Sequence, residues 1–180
     1  MKEFRAQAQR FGTTFVTADV TKVDFSARPF RVWVDDDVYL GDAIVVSTGA
    51  TARWLELPTE EALKGRGVSA CAVCDGAFFK GEDVLVVGGG DTAMEEATYL
   101  SSMCKSVTLV HRRDTFRASR IMQERVLSNP KIRVLWNSAI AEIKDISQGR
   151  VTSAVVENLR TKERQDVPCG AVFVAIGHEP

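Results

Sequence analysis

Residues 83–93 have the sequence Asp-Val-Leu-Val-Val-Gly-Gly-Gly-Asp-Thr-Ala, and this stretch decides the fold. The apolar run at 84–87 predicts a buried strand that ends in a tight glycine turn. A G-x-G-x-x-A pattern between a strand and a helix is typical of a dinucleotide site. Gly88 permits the turn, Gly90 lets the backbone approach a pyrophosphate, and Ala93 allows close helix–strand packing. The amino end of the following helix then favours the anion.

Helices and strands alternate on the C-terminal side of this turn. That order predicts an α/β fold with a parallel sheet and right-handed crossovers. Alternating stretches at 139–167 predict an antiparallel meander, and 171–175 predicts another buried strand. The elements expected between them are a helix at 91–103, in which Asp91 and Thr92 help to cap the first turn, a strand at 107–110, a helix at 118–127 and a strand at 132–136.

The N-terminal side has a different pattern, with shorter predicted elements. It ends in a segment rich in turn and charged residues, through Pro58, Gly65 and Gly67, which we interpret as a linker at a domain boundary. The elements expected before it are a helix at 2–11 closed by Gly12, a strand at 14–20, a hairpin of 29–34 with 38–40, and a buried strand at 43–47.

The end of the strand at 107–110 indicates which nucleotide is bound. An NAD site would place Asp or Glu there, on the ribose hydroxyls. This chain instead has His111, Arg112 and Arg113, with Arg117 close behind. Arginine binds phosphate through a planar fork of donors, so the sequence favours NADPH over NADH.

Two of the four cysteines, Cys71 and Cys74, form a C-x-x-C motif. Zinc is one interpretation, but a structural zinc site needs about four ligands and there is no second such motif. A redox-active pair is favoured, because this spacing lets the two sulfurs meet. Cys104 and Cys169 are expected to be buried, small apolar side chains.

Together these motifs resemble those of the bacterial-type, low-molecular-weight thioredoxin reductase family, over almost the whole chain. Each motif alone is weak, but the ordered set is specific. The matching stretches are Ser-Ala-Cys-Ala-Val-Cys-Asp-Gly at 69–76, Gly-Gly-Gly-Asp-Thr-Ala at 88–93, His-Arg-Arg-Asp at 111–114, Arg-Ala at 117–118, Ser-Thr-Gly-Ala at 47–50 and Ala-Ile-Gly-His-Glu-Pro at 175–180.

The resemblance implies two Rossmann-like domains. Residues 55–176 would be an NADPH-binding domain, a parallel sheet plus an antiparallel meander, that carries the C-x-x-C motif. Residues 1–54 would be part of an FAD-binding domain, and 177–180 would start the return to it. The hinges of a rotating NADPH domain would lie near 51–57 and 176–180.

The resemblance also implies a relay from NADPH through FAD to the Cys71–Cys74 disulfide and on to thioredoxin. Cys74 would face the flavin, Cys71 would attack thioredoxin, and Asp75 would be the acid–base group. The residues implied for cofactors are Gly88, Gly90, Asp91, Thr92, Ala93, His111, Arg112, Arg113, Arg117, Ile176 and Gly177 for NADPH, and Thr48, Gly49 and Ala50 for FAD.

Only one dinucleotide-type glycine turn is present, so we interpret the chain as an internal fragment lacking both ends of the FAD domain. We expect it to bind NADPH without holding FAD or turning over thioredoxin alone.

Composition excludes several other functions. The net charge of −1 offers no field for nucleic acid, 45% apolar residues argue against disorder, and no run is long enough to span a membrane. Few cysteines and no signal-like N-terminus predict a cytoplasmic protein, and the family commonly forms homodimers. No metal is expected.

Three alternative functions share parts of this pattern. One is the flavoprotein of an alkyl hydroperoxide reductase system, or a reductase fused to thioredoxin. Another is an isolated NADPH-binding module or redox sensor that works without flavin. The third, a ferredoxin–NADP reductase, is disfavoured because those enzymes lack the C-x-x-C pair.

Overall fold

The computed structural model describes residues 2–179, so Met1 and Pro180, which belong to the predicted FAD-domain segments, lie outside the described residues. The chain forms two compact units, one ending at Thr48 and the other beginning at Gly49. The helices are Lys2–Arg10 (α1), Pro58–Leu63 (α2), Ala72–Asp75 (α3), Asp91–Ser101 (α4) and Arg120–Leu127 (α5). The strands are Lys22–Asp24 (β1), Phe30–Val34 (β2), Asp37–Gly41 (β3), Thr51–Ala52 (β4), Val68–Ser69 (β5), Asp83–Gly88 (β6), Ser106–Val110 (β7), Ile132–Leu135 (β8), Ser138–Lys144 (β9), Ser153–Asn158 (β10), Arg164–Pro168 (β11), Ala171–Ala175 (β12) and His178–Glu179 (β13).

A five-stranded parallel sheet forms the centre of the second unit, in the order β5-β12-β6-β7-β8. Successive side chains point to opposite faces of a strand, and both faces of β6 are buried. Val84 and Val86 pack with Ala97 and Leu100 of α4. The parallel sheet and both crossover helices predicted from the sequence are confirmed.

The opposite face of this sheet is covered by an antiparallel meander in the order β11-β10-β9. Leu85 and Val87 of β6 pack there with Ile140 and Ile143 of β9. The predicted meander is therefore confirmed, and it encloses the second face of the sheet as a helix layer would.

The segment interpreted as a linker is instead ordered and packed. Pro58 occupies the first turn of α2, where its missing N–H is not needed. Leu63 is fully buried beside the meander, and the Thr59 hydroxyl accepts the Ile143 N–H at 3.0 Å. Turn residues signalled a loop, but burial of one helical face stabilises the segment.

The first unit contains α1 and an antiparallel sheet in the order β1-β2-β3. The helix at 2–11 and the hairpin are confirmed. The strands expected at 14–20 and 43–47 are wrong: both segments are irregular, and Val45 is 86% exposed. A strand needs a neighbour to pair its backbone groups, and no described strand pairs with either segment. The paired strand forms later, at β1, where Val23 lies opposite Val32.

The longest helix within residues 2–179, α4, has 11 residues, too few for a bilayer crossing of about 20 residues.

Candidate functional site

The carboxyl ends of β5, β6, β7 and β12 meet at one edge of the parallel sheet. Each is followed by a motif that sequence analysis singled out: the C-x-x-C helix, the glycine turn, the arginines and the Ile176–Gly177 dipeptide. In open α/β sheets ligands bind at this edge, so the topology assembles one candidate site from distant segments.

A cavity of ≈620 Å³ lies at this edge and brings together nine of the residues predicted for NADPH. These are Gly88, Gly90, Thr92, His111, Arg112, Arg113, Arg117, Ile176 and Gly177. Six further lining residues that no sequence motif indicated are Arg53, Trp54, Leu55, Ser138, Ala139 and Ile140. They come from the segment after β4 and from the start of β9, so only the tertiary fold reveals them.

The charge of the cavity lining favours an anionic ligand. Its charged residues are four arginines, Arg53, Arg112, Arg113 and Arg117, with no aspartate or glutamate. Arg53 is paired with Glu179 at 3.1 Å, which leaves the other three for a ligand. The three are exposed on one loop, residues 111–119, which we name the arginine loop. Three arginines in a cavity lining that contains no carboxylate suit a phosphate.

The glycine turn has the geometry that a close backbone approach requires. A Cβ on Gly88 would lie 2.3 Å from the Ala175 carbonyl oxygen and 2.7 Å from the Cβ of Ala93. A Cβ on Gly90 would meet nothing within 4 Å. Gly88 therefore serves packing of α4 on the sheet, with Ala93 fully buried below it, whereas Gly90 leaves open space beside the cavity.

Alanine substitutions should separate these two roles. Gly88→Ala should lower the free energy of unfolding by about 3 kcal/mol, because the new methyl overlaps backbone atoms. Gly90→Ala, the matched control, should lower the free energy of unfolding by about 1 kcal/mol at most, the cost of alanine at an N-cap. It should weaken nucleotide binding, because its methyl fills the open space. Equal stability of both variants would contradict this assignment.

His111 supports the site through packing. Its ring is buried, and a Cβ on Gly89 would lie 2.1 Å from it, so the ring fills the space that a side chain at 89 would need. The ring Nε2–H donates to the Thr115 carbonyl at 2.9 Å. Ring centroids of His111, Phe116 and Trp136 lie 4.2–6.0 Å apart. This aromatic cluster forms the base of the arginine loop.

Asp91 and Ala93 do not line the cavity. The side-chain cap expected from Asp91 or Thr92 is not formed: the N-cap position of α4 is Gly90, without a side-chain hydrogen bond. The Asp91 carboxylate instead accepts hydrogen bonds from Ser119.

Cys71 and Cys74 form a disulfide, with Cα atoms 5.3 Å apart. Cys71 caps α3, and its sulfur accepts the Cys74 N–H at 3.2 Å. Cys74 is exposed and Cys71 is half-buried. Gly76 lets this short helix approach α4, since a Cβ there would lie 2.8 Å from Leu100. The paired cysteines expected from the sequence are confirmed.

Asp75 is held by a residue that sequence analysis missed. The Ser69 hydroxyl donates to Asp75 Oδ2 at 2.6 Å and accepts the Cys71 N–H at 3.0 Å. Ser69 is buried at the end of β5, so it links the sheet to both residues. Its position two residues before the first cysteine was the available signal.

A second carboxylate, that of Glu96, lies beside α3. Glu96 Oε1, from α4, accepts the Ala72 N–H at 3.4 Å, and its Oε2 is buried without a hydrogen-bond partner. Burial raises the pKa of Glu96, although the Ala72 hydrogen bond opposes this. Glu96 therefore connects α4 to α3.

Cys104 and Cys169 are 1% and 5% exposed, as expected. Burial raises the pKa of Cys169 to about 12 and also raises that of Cys104. Both thiols therefore remain protonated at pH 8. After reduction with dithiothreitol, iodoacetamide at pH 8 should label Cys71 and Cys74 and spare the other two, as read by mass spectrometry. Unfolding in urea should add two labels, and four labels in the folded protein would contradict the burial argument.

The residues expected to contact FAD, Thr48, Gly49 and Ala50, are exposed and irregular. Among residues 2–179, no three His, Cys, Asp or Glu side chains are grouped to hold a metal ion.

Comparison with known proteins agrees with this geometry. The pattern that defines the pyridine nucleotide-disulphide oxidoreductase family matches residues 3–180. The chain is 48% identical to thioredoxin reductase 2 of Arabidopsis thaliana over 187 residues, covering 100% of this chain and 49% of that protein. It is 49% identical to a thioredoxin reductase of Streptomyces coelicolor over 181 residues, covering 100% of this chain and 56% of the relative. The chain spans about half the length of these relatives.

Solved structures of thioredoxin reductases are also similar to this chain. Thioredoxin reductase from Giardia duodenalis matches 99% of this chain and 58% of its own, with a TM-score of 0.83 and 42% identity. That of Lactococcus lactis matches 96% of this chain and 56% of its own, with a TM-score of 0.77 and 40% identity.

Proposed function

This chain belongs to the pyridine nucleotide-disulphide oxidoreductase family, and on that premise we propose that it carries the NADPH site and the redox-active disulfide of a thioredoxin reductase. The observation that carries the proposal is topological. The Cys71–Cys74 disulfide and the arginine-lined cavity follow neighbouring parallel strands at the same sheet edge. An electron donor site and a reducible disulfide are thus combined in one unit.

The cavity residues fit NADPH. Open space at Gly90 admits a pyrophosphate to the amino end of α4, where N–H groups and the helix dipole favour an anion. Arg112, Arg113 and Arg117 provide the charge that a 2′-phosphate needs. No carboxylate in the lining is placed to accept the two ribose hydroxyls of NADH.

The surface around the disulfide suits a protein as electron acceptor. Val73, between the two cysteines, is 72% exposed, and Phe78 in the next turn is 78% exposed. Both side chains expose apolar surface within four residues of the disulfide, which a protein partner would cover. We propose that the partner is thioredoxin, as the names of the relatives imply.

The exchange step is balanced within the two proteins. One thiolate of the Cys71–Cys74 dithiol attacks the thioredoxin disulfide and forms a mixed disulfide, which releases one thioredoxin thiolate. The second cysteine then attacks the mixed disulfide, restores the internal disulfide and releases the other. We assign the attacking role to Cys71 and the resolving role to Cys74. Asp75, oriented by Ser69, would supply the proton to a departing thiolate.

FAD, when bound, supplies hydride acceptance from NADPH and two-electron reduction of the disulfide. We retain Thr48, Gly49 and Ala50 as proposed FAD contacts. The proposed assembly is a homodimer in the cytoplasm, and analytical ultracentrifugation tests the first of these two properties.

The exchange step can be tested without flavin. The chain should be reduced with dithiothreitol, desalted and mixed with oxidised thioredoxin at equal concentration. Thioredoxin should gain thiols while Cys71 and Cys74 return to the disulfide. A chain with both cysteines changed to serine is the control and should transfer nothing.

The acceptor is tested in the same assay. Thioredoxin should react faster than an oxidised peroxiredoxin of the alkyl hydroperoxide reductase type. A faster reaction with the peroxiredoxin would favour the alternative flavoprotein reductase. No transfer to either would reject the reductase function and leave a nucleotide-binding module.

A further inference from the structure

Asp91 poses a problem for a phosphate site. It lies in the glycine turn motif, one residue after Gly90, where a bound pyrophosphate would be near. The two hydrogen bonds from Ser119 lower the pKa of its carboxyl, so Asp91 is anionic at neutral pH. An anion at this place opposes phosphate binding. Asp91 favours the positive end of α4 from its first turn, but its side chain neither caps that helix nor lines the cavity.

The structure shows what the carboxylate does. Asp91 Oδ1 accepts the Ser119 N–H at 2.9 Å and the Ser119 hydroxyl at 2.8 Å. Ser119 ends the arginine loop and precedes α5, whose N-cap position it occupies without a side-chain cap. Asp91 thus joins the start of α4 to the end of the loop, across 28 residues of sequence.

Neighbouring contacts hold the loop at other points. The Arg117 N–H donates to the Gly89 carbonyl at 2.8 Å, also from loop to glycine turn. At the other end, the Arg113 carbonyl accepts the Asn137 N–H at 3.0 Å. Two other side chains also contact the loop: Arg160 donates to Asp114 Oδ2 at 2.6 Å, and Gln123 Nε2 donates to the Ala118 carbonyl at 2.7 Å. The Asp91 carboxylate joins the loop to the start of α4, and it can be removed while these contacts and the backbone contacts remain.

We propose that Asp91 is a positioning residue that sets the preference for the 2′-phosphorylated nucleotide by fixing the arginine loop. Arg112, Arg113 and Arg117 are exposed on this loop, and a freed loop would have to be ordered on binding at an entropic cost. NADPH contacts the arginines through its 2′-phosphate, so its binding free energy would include the cost of ordering the loop. NADH lacks the 2′-phosphate, so its binding does not require an ordered loop.

Simple electrostatics predicts the opposite sign. Removing a negative charge near a phosphate site would tighten NADPH binding through Coulomb's law. If Asp91 acts by positioning the arginine loop, removing its carboxylate should weaken NADPH binding and change NADH binding little. The direction of the effect therefore separates the two explanations.

The test measures dissociation constants of NADPH and NADH for the 180-residue chain by isothermal titration calorimetry, and it rests on the proposed NADPH site. Asp91→Ala should weaken NADPH binding about tenfold, the lower end for a charge-assisted hydrogen bond, and change NADH binding less than twofold. Ser119→Ala, which keeps the backbone N–H, should have a smaller effect of the same sign. Asp91→Asn should restore most of the affinity, because its amide oxygen can still accept. Asp166→Ala, an equal charge change on β11, is the matched control.

The following outcomes would reject the role proposed for Asp91. If Asp91→Ala leaves NADPH binding unchanged, tightens it, or weakens both nucleotides equally, the inference is rejected. If Asp91→Ala fails to fold, Ser119→Ala and the amide exchange rate of Ser119 in Asp91→Asn decide in its place. If the unmodified chain does not prefer NADPH, the proposed function fails, and that result is seen before any variant is made.

Discussion

Changing Arg112 and Arg113 together to alanine is expected to lower the preference for NADPH over NADH about 100-fold. Both side chains line the cavity, and β7 ends there without a carboxylate for the ribose hydroxyls of NADH. A hydrogen bond to a charged group contributes about tenfold at its lower end, and these side chains are exposed, so we use that end for each arginine. Calorimetric titration with both nucleotides measures the ratio.

Arg125→Ala is the matched control, since it removes a cation from α5 outside the cavity lining. If the two arginines bind the 2′-phosphate, the double variant should keep its affinity for NADH. Its affinity for NADPH should fall to a similar value. If the unmodified chain binds the two nucleotides alike, or if Arg125→Ala has the same effect, the arginine loop does not bind the 2′-phosphate.

Single serine substitutions of the two cysteines are expected to have the largest effect on disulfide exchange. Without a resolving cysteine a mixed disulfide persists, and without an attacking cysteine none forms. Net reduction of thioredoxin should therefore fall to the rate without protein in both variants. If Cys71 attacks, Cys74→Ser should accumulate a covalent complex with thioredoxin on a non-reducing gel and Cys71→Ser should not.

The exposure of the two cysteines in the disulfide form favours Cys74 as the attacking residue, because Cys74 is exposed and Cys71 is half-buried. Trapping by Cys71→Ser alone would reverse the assigned roles and leave the exchange function intact. Cys104→Ala is the control, since that buried thiol lies outside the redox pair and should not alter the rate. A covalent complex in neither variant would reject direct exchange.

Much of the fold follows from local patterns. The apolar run of β6, the glycine turn and the amphipathic α4 lie within about 20 residues, and each depends on contacts between near neighbours in sequence. The same holds for the C-x-x-C disulfide, since two intervening residues suffice to bring the sulfurs together. The strands at 14–20 and 43–47 were wrong because their apolar patterns carry no information about a pairing partner.

The sequence was sufficient for the class of site: a strand–glycine-turn–helix unit, arginines after the next strand and a paired thiol motif. Only the tertiary structure showed which contacts individual side chains make. The His111 ring packs against Gly89, the Ser69 hydroxyl donates to Asp75, and Asp91 accepts a hydrogen bond from Ser119. The physical reason is the range of the interactions. Helices, turns and a C-x-x-C pair form from near neighbours, whereas a side chain's hydrogen-bond partner depends on which distant segments the sheet brings to one edge.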